Sequence, residues 1–173
     1  MAVSLRSDWS QDSCPVARGA DVFGDPWCLL IVREIFVGNR RFEGLRSTLA
    51  IAENVLSVRL RRLVDAGLLR RTPYGVGPRP RQEYQLTPAG EDALPILNAL
   101  SVWADKHTTS PSGRSMQIVC TECGQSSSSA DWCTTCRAPL TAASTAWDRP
   151  SSPGHRTNLS AHLVDAVETR PLV

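Results

Sequence analysis

Apolar residues recur along this chain in blocks that proline and glycine separate. Residues 1–12 are mostly polar and read as a loose arm. Pro15 then suits the first turn of a short helix, and Gly24 suits its stop. Asp25 and Pro26 restart the helix, one as cap and the other as first residue. The segment PWCLLIVREIFVG is apolar on almost every side apart from Arg33 and Glu34, which predicts a central core helix. Cys28 within it reads as a small buried hydrophobe. Phe42, Leu45 and Leu49 recur at helical spacing before a brief break at 50–52. Leu56, Leu60, Leu63 and Val64 then line one face of a second helix, which Gly67 ends. Two short helices around a tight turn make a helix-turn-helix. LLRRT and QEYQL flank a loop rich in Gly and Pro and predict a two-stranded ribbon. Thr87 and Pro88 open a last helix running to about His107. Ala93, Ile96, Leu97, Leu100, Trp103 and Ala104 share one broad stripe of it, and Pro95 is set to kink it or delay its regular start.

The pattern then changes. A polar linker over 109–115 leads into a segment that starts with a short strand, MQIV, and holds four cysteines in two Cys-x-x-Cys pairs. From Thr141 the composition turns to Ala, Ser, Thr, Pro and Arg, which reads as a largely disordered tail. Within it LSAHLVDAVE offers a marginal amphipathic turn or two. The division expected is an arm over 1–12, a winged helix-turn-helix over 13–108, a linker over 109–115, a zinc-ribbon-like β module over 116–140 and a tail over 141–173. The fold class is mainly α with a small β-ribbon.

Charge sharpens this outline. The net charge is only +2, yet Leu29 to Leu86 holds eleven Arg against five Asp or Glu, a balance of +6. A basic segment within a nearly neutral chain implies a polyanionic partner. Arginine outnumbers lysine eighteen to one, so a codon-biased genome accounts for the residue type but not for the clustering. No run of about eighteen apolar residues occurs, so no membrane span is expected. The N-terminus lacks the apolar core of a signal peptide, which points to the cytoplasm and, given the DNA partner inferred below, to the nucleoid.

With the leucines of the second helix turned inward, Asn54, Ser57, Val58 and Arg61 fall on the opposite side. Short polar groups and an arginine suit base edges in a major groove. Arg59 and Arg62 flank that stripe and are expected at phosphates, which fix register without reading sequence. Arg79 and Arg81 lie between prolines in the ribbon loop, suited to a minor groove whose negative potential attracts arginine. Each residue alone could belong to a solvated face, with Arg61 or Arg62 paired to Asp65. Core helix, helix-turn-helix, basic ribbon and long apolar helix in succession specify double-stranded DNA far better.

At this point a family can be named. Cys14-Pro15, Gly-Asp-Pro-Trp at 24–27, RRFEGLR, VLSVRLRRLVDAGLL and EYQLTPAG resemble the HxlR family of bacterial winged helix-turn-helix regulators, from Cys14 to about Lys106. The resemblance implies a dimeric DNA-binding transcription factor; the function expected is that of a homodimeric repressor on a near-palindromic operator. It also implies a response to an oxidant, an electrophile or a small-molecule effector, and a dimer built by the N-terminal segment and the long helix. Two features depart from the pattern. Ala52 stands where a Ser or Thr cap is common, which leaves the helix start open by one residue. The ribbon loop VGPRPR is also richer in proline. In some members an N-terminal Cys-Pro cysteine is a redox sensor; Cys14 is the candidate here, against the alternative of a shielded capping-position residue. Phe23, Trp27 and Trp103 are candidates to wall an effector pocket, against the alternative of ordinary core aromatics.

Cys120, Cys123, Cys133 and Cys136 are spaced x2, x9 and x2. Two tight knuckles brought together by a hairpin give a tetrahedral four-thiolate site with no position left open for water, which makes it structural. Zinc is expected, with iron in a rubredoxin-like site as the alternative. A thioredoxin-type reading lacks its βαβ context, and disulfides do not suit a reducing compartment. No paired carboxylates, nucleophile triad or phosphate loop appears, so no enzyme is expected. The competing function is a winged-helix plus zinc-ribbon structural module that docks on a transcription or DNA-processing machine.

Overall fold

The computed structural model of the protein describes residues 8–75, 81–150 and 155–159. Four helices come first: α1 (Pro15–Phe23), α2 (Pro26–Phe36), α3 (Phe42–Leu49) and α4 (Glu53–Asp65). The strands β1 (Leu69–Tyr74) and β2 (Arg81–Leu86) follow, then α5 (Pro88–Glu91) and α6 (Leu94–His107). The chain continues with β3 (Gln117–Cys120), β4 (Ser126–Ser127), β5 (Thr145–Asp148) and β6 (Arg156–Asn158).

Local chemistry accounts for most of these boundaries. Pro15, Pro26 and Pro88 each occupy the first helical position, where a missing N–H costs nothing. The Asp25 carboxylate accepts from the Trp27 N–H at 2.9 Å, and the Thr87 hydroxyl accepts from the Gly90 N–H at 3.2 Å. Pro95 sits in the first turn of α6, so it delays the long helix behind the short α5 instead of kinking it. Gly67 adopts φ +75°, where a side chain would be strained, and turns the chain from α4 into β1. Gly90 lacks a side chain for another reason: a Cβ there would run into the Leu68 carbonyl.

The core centres on α2. Cys28, Ile31, Val32, Ile35 and Phe36 are buried and meet Leu45 of α3, with Leu56, Leu60 and Leu63 of α4 in the same cluster. β1 and β2 pair antiparallel from Leu69↔Leu86 to Tyr74↔Arg81, and an isolated bridge from Arg41 to Glu83 adds a short third edge. This is the winged helix-turn-helix expected from the sequence.

The second sheet, ordered β4-β3-β5-β6 with antiparallel pairs, corrects the expected boundary of the cysteine module. The tail was expected to begin at Thr141, yet 145–148 and 156–158 are strands. Burial explains this: Trp147 is fully buried and Leu159 nearly so, in a stretch whose average composition is polar. The LSAHLVDAVE segment lies outside the described residues beyond its first leucine. In the N-terminal arm, residues 8–12 form a turn in which the Asp12 N–H donates to the Trp9 carbonyl at 3.0 Å. The Trp9 N–H reaches Asp21 at 3.4 Å.

Candidate nucleic-acid interface and metal centre

α4 separates its two faces cleanly. Leu56, Leu60 and Leu63 are fully buried, while Asn54, Val58 and Arg61 are exposed and Ser57 is half-buried. Asn54 turns its amide oxygen back to the Val55 N–H at 2.9 Å, leaving the amide nitrogen for an outside acceptor. Arg61 makes no ion pair among the described residues.

Arg59 and Arg62 each have an acidic partner on the helices behind α4. Arg59 pairs with Asp25 at 2.6 Å, and Arg62 with Asp21 at 3.4 Å, all four side chains being largely buried. Each arginine therefore braces α4 against the helices behind it. Asp25 does two jobs at once, capping α2 with one oxygen and holding Arg59 with the other. Such half-buried pairs are screened less than surface pairs. In the wing, Arg81 is exposed opposite Tyr74, whereas Arg79 lies outside the described residues. Arg41, absent from the expected set, lies with its guanidinium 4.5 Å from the centre of the Tyr74 ring. Its signal in the sequence was the Arg40-Arg41 pair just ahead of α3.

The four cysteines come together in the second module. Two knuckles of the same shape present them: the Gly124 N–H donates to the Cys120 carbonyl at 2.8 Å, and the Arg137 N–H to the Cys133 carbonyl at 2.9 Å. Both closing residues take positive φ, Gly124 at 72° and Arg137 at 62°. All four sulfurs lie within 4.8 Å of one another. Cys120 Sγ is 3.8 Å from Cys136 Sγ, and Cys123 Sγ is 3.6 Å from Cys133 Sγ. Sulfurs about 2.3 Å from a tetrahedral ion stand about 3.8 Å apart, whereas a disulfide needs about 2.05 Å. The geometry thus fits a metal and not a bond.

The thiols also act on one another. Backbone hydrogen bonding, that of Cys136 foremost, overcomes burial and holds the Cys133 thiol down to about 6. At Cys136 the Ala138 backbone hydrogen bond works in the same direction, but burial and the sulfurs of Cys133, Cys123 and Cys120 win and push the thiol up to about 12. Four thiolates in one place repel each other until a positive ion sits among them. With every donor a thiolate, the set suits zinc and leaves no open position for catalysis.

Sequence reasoning missed the joint between the two modules. Trp147 packs on Phe36 of α2 with ring centres 5.8 Å apart, and its Nε1 donates to Asn98 Oδ1 at 3.0 Å. Asn98, fully buried in α6, donates from Nδ2 to the Ala130 carbonyl at 2.8 Å. Nearby, the buried Glu34 carboxylate takes Arg149 at 3.6 Å from β5's end and Arg33 at 2.8 Å from its own helix. The faint signal was a polar Asn98 among leucines. α6 consequently has two apolar faces. Leu94, Leu97 and Asn98 face inward, while Ile96, Leu100 and Trp103 are 42%, 45% and 58% exposed.

The remaining candidates are scattered. Cys14 is exposed at the cap position of α1, its N–H bonded to Asp12 at 2.8 Å. Arg18 donates to the Asp12 and Ser13 carbonyls at 2.6 and 3.0 Å. Phe23 and Trp27 are half-buried against the core, and Trp103 lies 5.2 Å from His107. Neither the cleft beside the wing nor the one between α6 and the serine hairpin is lined by these three aromatics.

Comparison with known proteins agrees with this architecture. A family model described as HxlR-like helix-turn-helix matches residues 22–112. An HTH-type transcriptional regulator of Mycobacterium tuberculosis is 39% identical over 127 residues, 73% of this chain and 80% of its own length. A match of that extent runs past Cys120 and Cys123 wherever it begins. The Bacillus subtilis HTH-type transcriptional regulator YdeP is 30% identical over 107 residues, 60% of this chain and 83% of its own. Among solved structures, PA1607, described as a transcription factor, superposes with a TM-score of 0.65 at 36% identity, over 78% of this chain and 93% of that one.

Proposed function

The chain belongs to the HxlR-like helix-turn-helix family and is a DNA-binding transcriptional regulator, not an enzyme; from that premise we propose that it acts as a homodimeric, sequence-specific repressor. The observation that carries this reading is the outward stripe of α4. Asn54, Ser57, Val58 and Arg61 are offered to a major groove while Arg59 and Arg62 lock the helix from behind. Arg61 is the side chain suited to a guanine edge.

The second apolar face of α6 supports a dimer. Ile96, Leu100 and Trp103 recur on one stripe with no covering element among the described residues, and Trp9 and Val16 of the N-terminal segment are exposed as well. Two copies joined there would place their recognition helices in successive major grooves, about 34 Å apart, on a near-palindromic operator. Repression follows from occupancy alone, because a dimer seated over a promoter excludes polymerase without further contacts. The four thiolates hold a structural zinc ion through Cys120, Cys123, Cys133 and Cys136. The exposed Cys14 thiol is the group through which an oxidant or electrophile would act. Among the described residues no helix is long and apolar enough to cross a membrane.

The test is to incubate the purified protein with fragmented host DNA and sequence what it retains. A few sites sharing a palindrome, with one dimer per site, are expected. Sequence-blind retention across a range of salt would sink the operator reading.

A further inference from the structure

Building on a DNA-binding regulator that holds zinc on its four thiolates, we infer that the buried Glu34 carboxylate couples the metal centre to the DNA-reading helices, so that metal occupancy sets the affinity for DNA. Glu34 lies on α2, the core helix, and is 3% exposed. Its two oxygens face different modules. Oε1 takes Arg149 of the cysteine module at 3.6 Å together with Arg33 at 2.8 Å. Oε2 accepts from Asn39 Nδ2 at 3.5 Å, and the same amide nitrogen donates to Thr48 Oγ1 of α3 at 3.2 Å. One carboxylate thus touches both the cysteine module and the neighbour of α3.

Both ends of this link are fixed. On the helix-turn-helix side Asn39 is wedged in place: its N–H donates to the Glu34 carbonyl at 3.0 Å, and a Cβ at Gly44 would collide with its amide oxygen. Glycine at 44 therefore lets α3 close onto Asn39. Three residues, 50–52, separate α3 from α4, so a tilt of α3 displaces the end of α4 that carries Asn54 and Ser57. On the other side, Arg149 directly follows β5, which pairs with β3 from Gln117↔Asp148 to Cys120↔Thr145. A metal ligand, Cys120, thus sits in the strand that aligns the arginine. Arg149 Nε is buried with no hydrogen-bond partner among the described residues, so the guanidinium is held at Glu34 against a desolvation cost.

A carboxylate buried between two guanidinium groups adds little stability over an apolar side chain of similar size, because desolvation offsets the attraction. It does make the packing around α2 conditional on both partners. With the cysteine module unfolded, Arg149 leaves, and Arg33, whose side chain is 36% exposed, draws the carboxylate outward. Asn39 then loses its acceptor on α2, and α3 loses its tether. The metal-loaded state accordingly has the ordered α3 and the higher affinity for DNA. Linkage requires that DNA tighten metal binding by the same factor.

The experiment measures binding of the full-length protein to an operator duplex recovered from host DNA and to an unrelated duplex, zinc-loaded and after chelation with EDTA, with zinc content counted in parallel. Wild type is compared with Arg149→Ala, Arg149→Lys and Glu34→Gln. Chelation is expected to weaken duplex binding by wild type about tenfold, with the helical dichroism retained. Arg149→Ala and Glu34→Gln should each keep their zinc, bind DNA about tenfold more weakly when loaded, and lose about twofold at most on chelation. Arg149→Lys should restore the dependence. Glu34→Gln lies outside the cysteine module, so its result decides the matter if Arg149→Ala loses zinc. Amide exchange in Arg149→Ala should quicken in α3 and not in α6, a pattern that general destabilisation does not give. Equal quickening in both helices, or full zinc dependence in both variants, would overturn the coupling. So would a wild-type affinity that ignores chelation, which leaves the DNA-binding reading intact. If wild type binds duplex without sequence preference yet with the expected zinc dependence, the coupling stands and the operator reading falls. Absence of duplex binding overturns both, and absence of zinc binding overturns the coupling together with the metal reading while leaving the operator reading standing.

Discussion

The winged helix and the cysteine module are joined in one continuous core, yet they are held by different physics. In the first, α2 is wrapped by α3, α4 and the ribbon, and burial of branched and aromatic side chains suffices for folding. In the second, short strands of two to four residues surround four sulfurs, and the largest buried side chain, Trp147, leans on the first module. A unit with so little apolar interior of its own is expected to depend on a bound metal and on its host. The difference leads to the expectation that the host folds without the guest, whereas the guest needs both the host and an ion.

Metal removal should break this comparison open. Chelation, or Cys133→Ser, is expected to abolish binding of one zinc per chain and unfold residues 116–159, since structural zinc supplies about 10 kcal/mol or more in small zinc domains. Far-UV dichroism should keep the helical signal while Trp147 fluorescence shifts to the red. Loss of the helices as well would show that the dependence runs both ways. A smaller effect is expected from Trp147→Ala, which empties the joint and leaves Asn98 with an unpaired carbonyl. Denaturant melts should show a loss of about 3–5 kcal/mol, with zinc stoichiometry intact because the knuckles are untouched. Retention of full stability would mean that the joint is only contact.

Two further variants probe the first region by itself. Trp103→Glu places a charge on the exposed stripe of α6. It should leave the protomer folded and weaken self-association about thirtyfold or more, read by sedimentation. An unchanged association constant would move the dimer to another surface. The smallest change is Asp25→Ala, which removes the α2 cap and the partner of Arg59. A loss of about 1–2 kcal/mol in urea is expected, with weaker operator binding through a loosened α4. Weaker binding with no loss of stability would instead place Asp25 at the DNA.

The two regions were also unequally legible. Helix limits in the first could be read because Pro15, Pro26, Pro88 and Gly67 act locally, and a residue's own backbone preference is written in its identity. The Cys-x-x-Cys pairs were legible because ligand spacing is also local. The ion pairs of Arg59 and Arg62 escaped because periodicity tells which side of a helix a residue occupies but not what waits there. Their partners, Asp25 and Asp21, lie more than thirty residues earlier. Strands β5 and β6 escaped for a related reason. Four residues, Thr145–Asp148, cannot announce a period, and one tryptophan does not alter the average of a polar tail. Asn98 was not singled out, because its role depends on Trp147, forty-nine positions away.

α6 behaves as an axle with two fixed bearings. Successive residues on a helix are offset by about 100°, so the bearing that takes Trp147 through Asn98 and the stripe of Leu100 and Trp103 cannot turn relative to each other. In a dimer joined along that stripe, the roll angle of the axle is also the angle between the two wings. The module built around four sulfur atoms would then help to set the distance between the half-sites its protein can span.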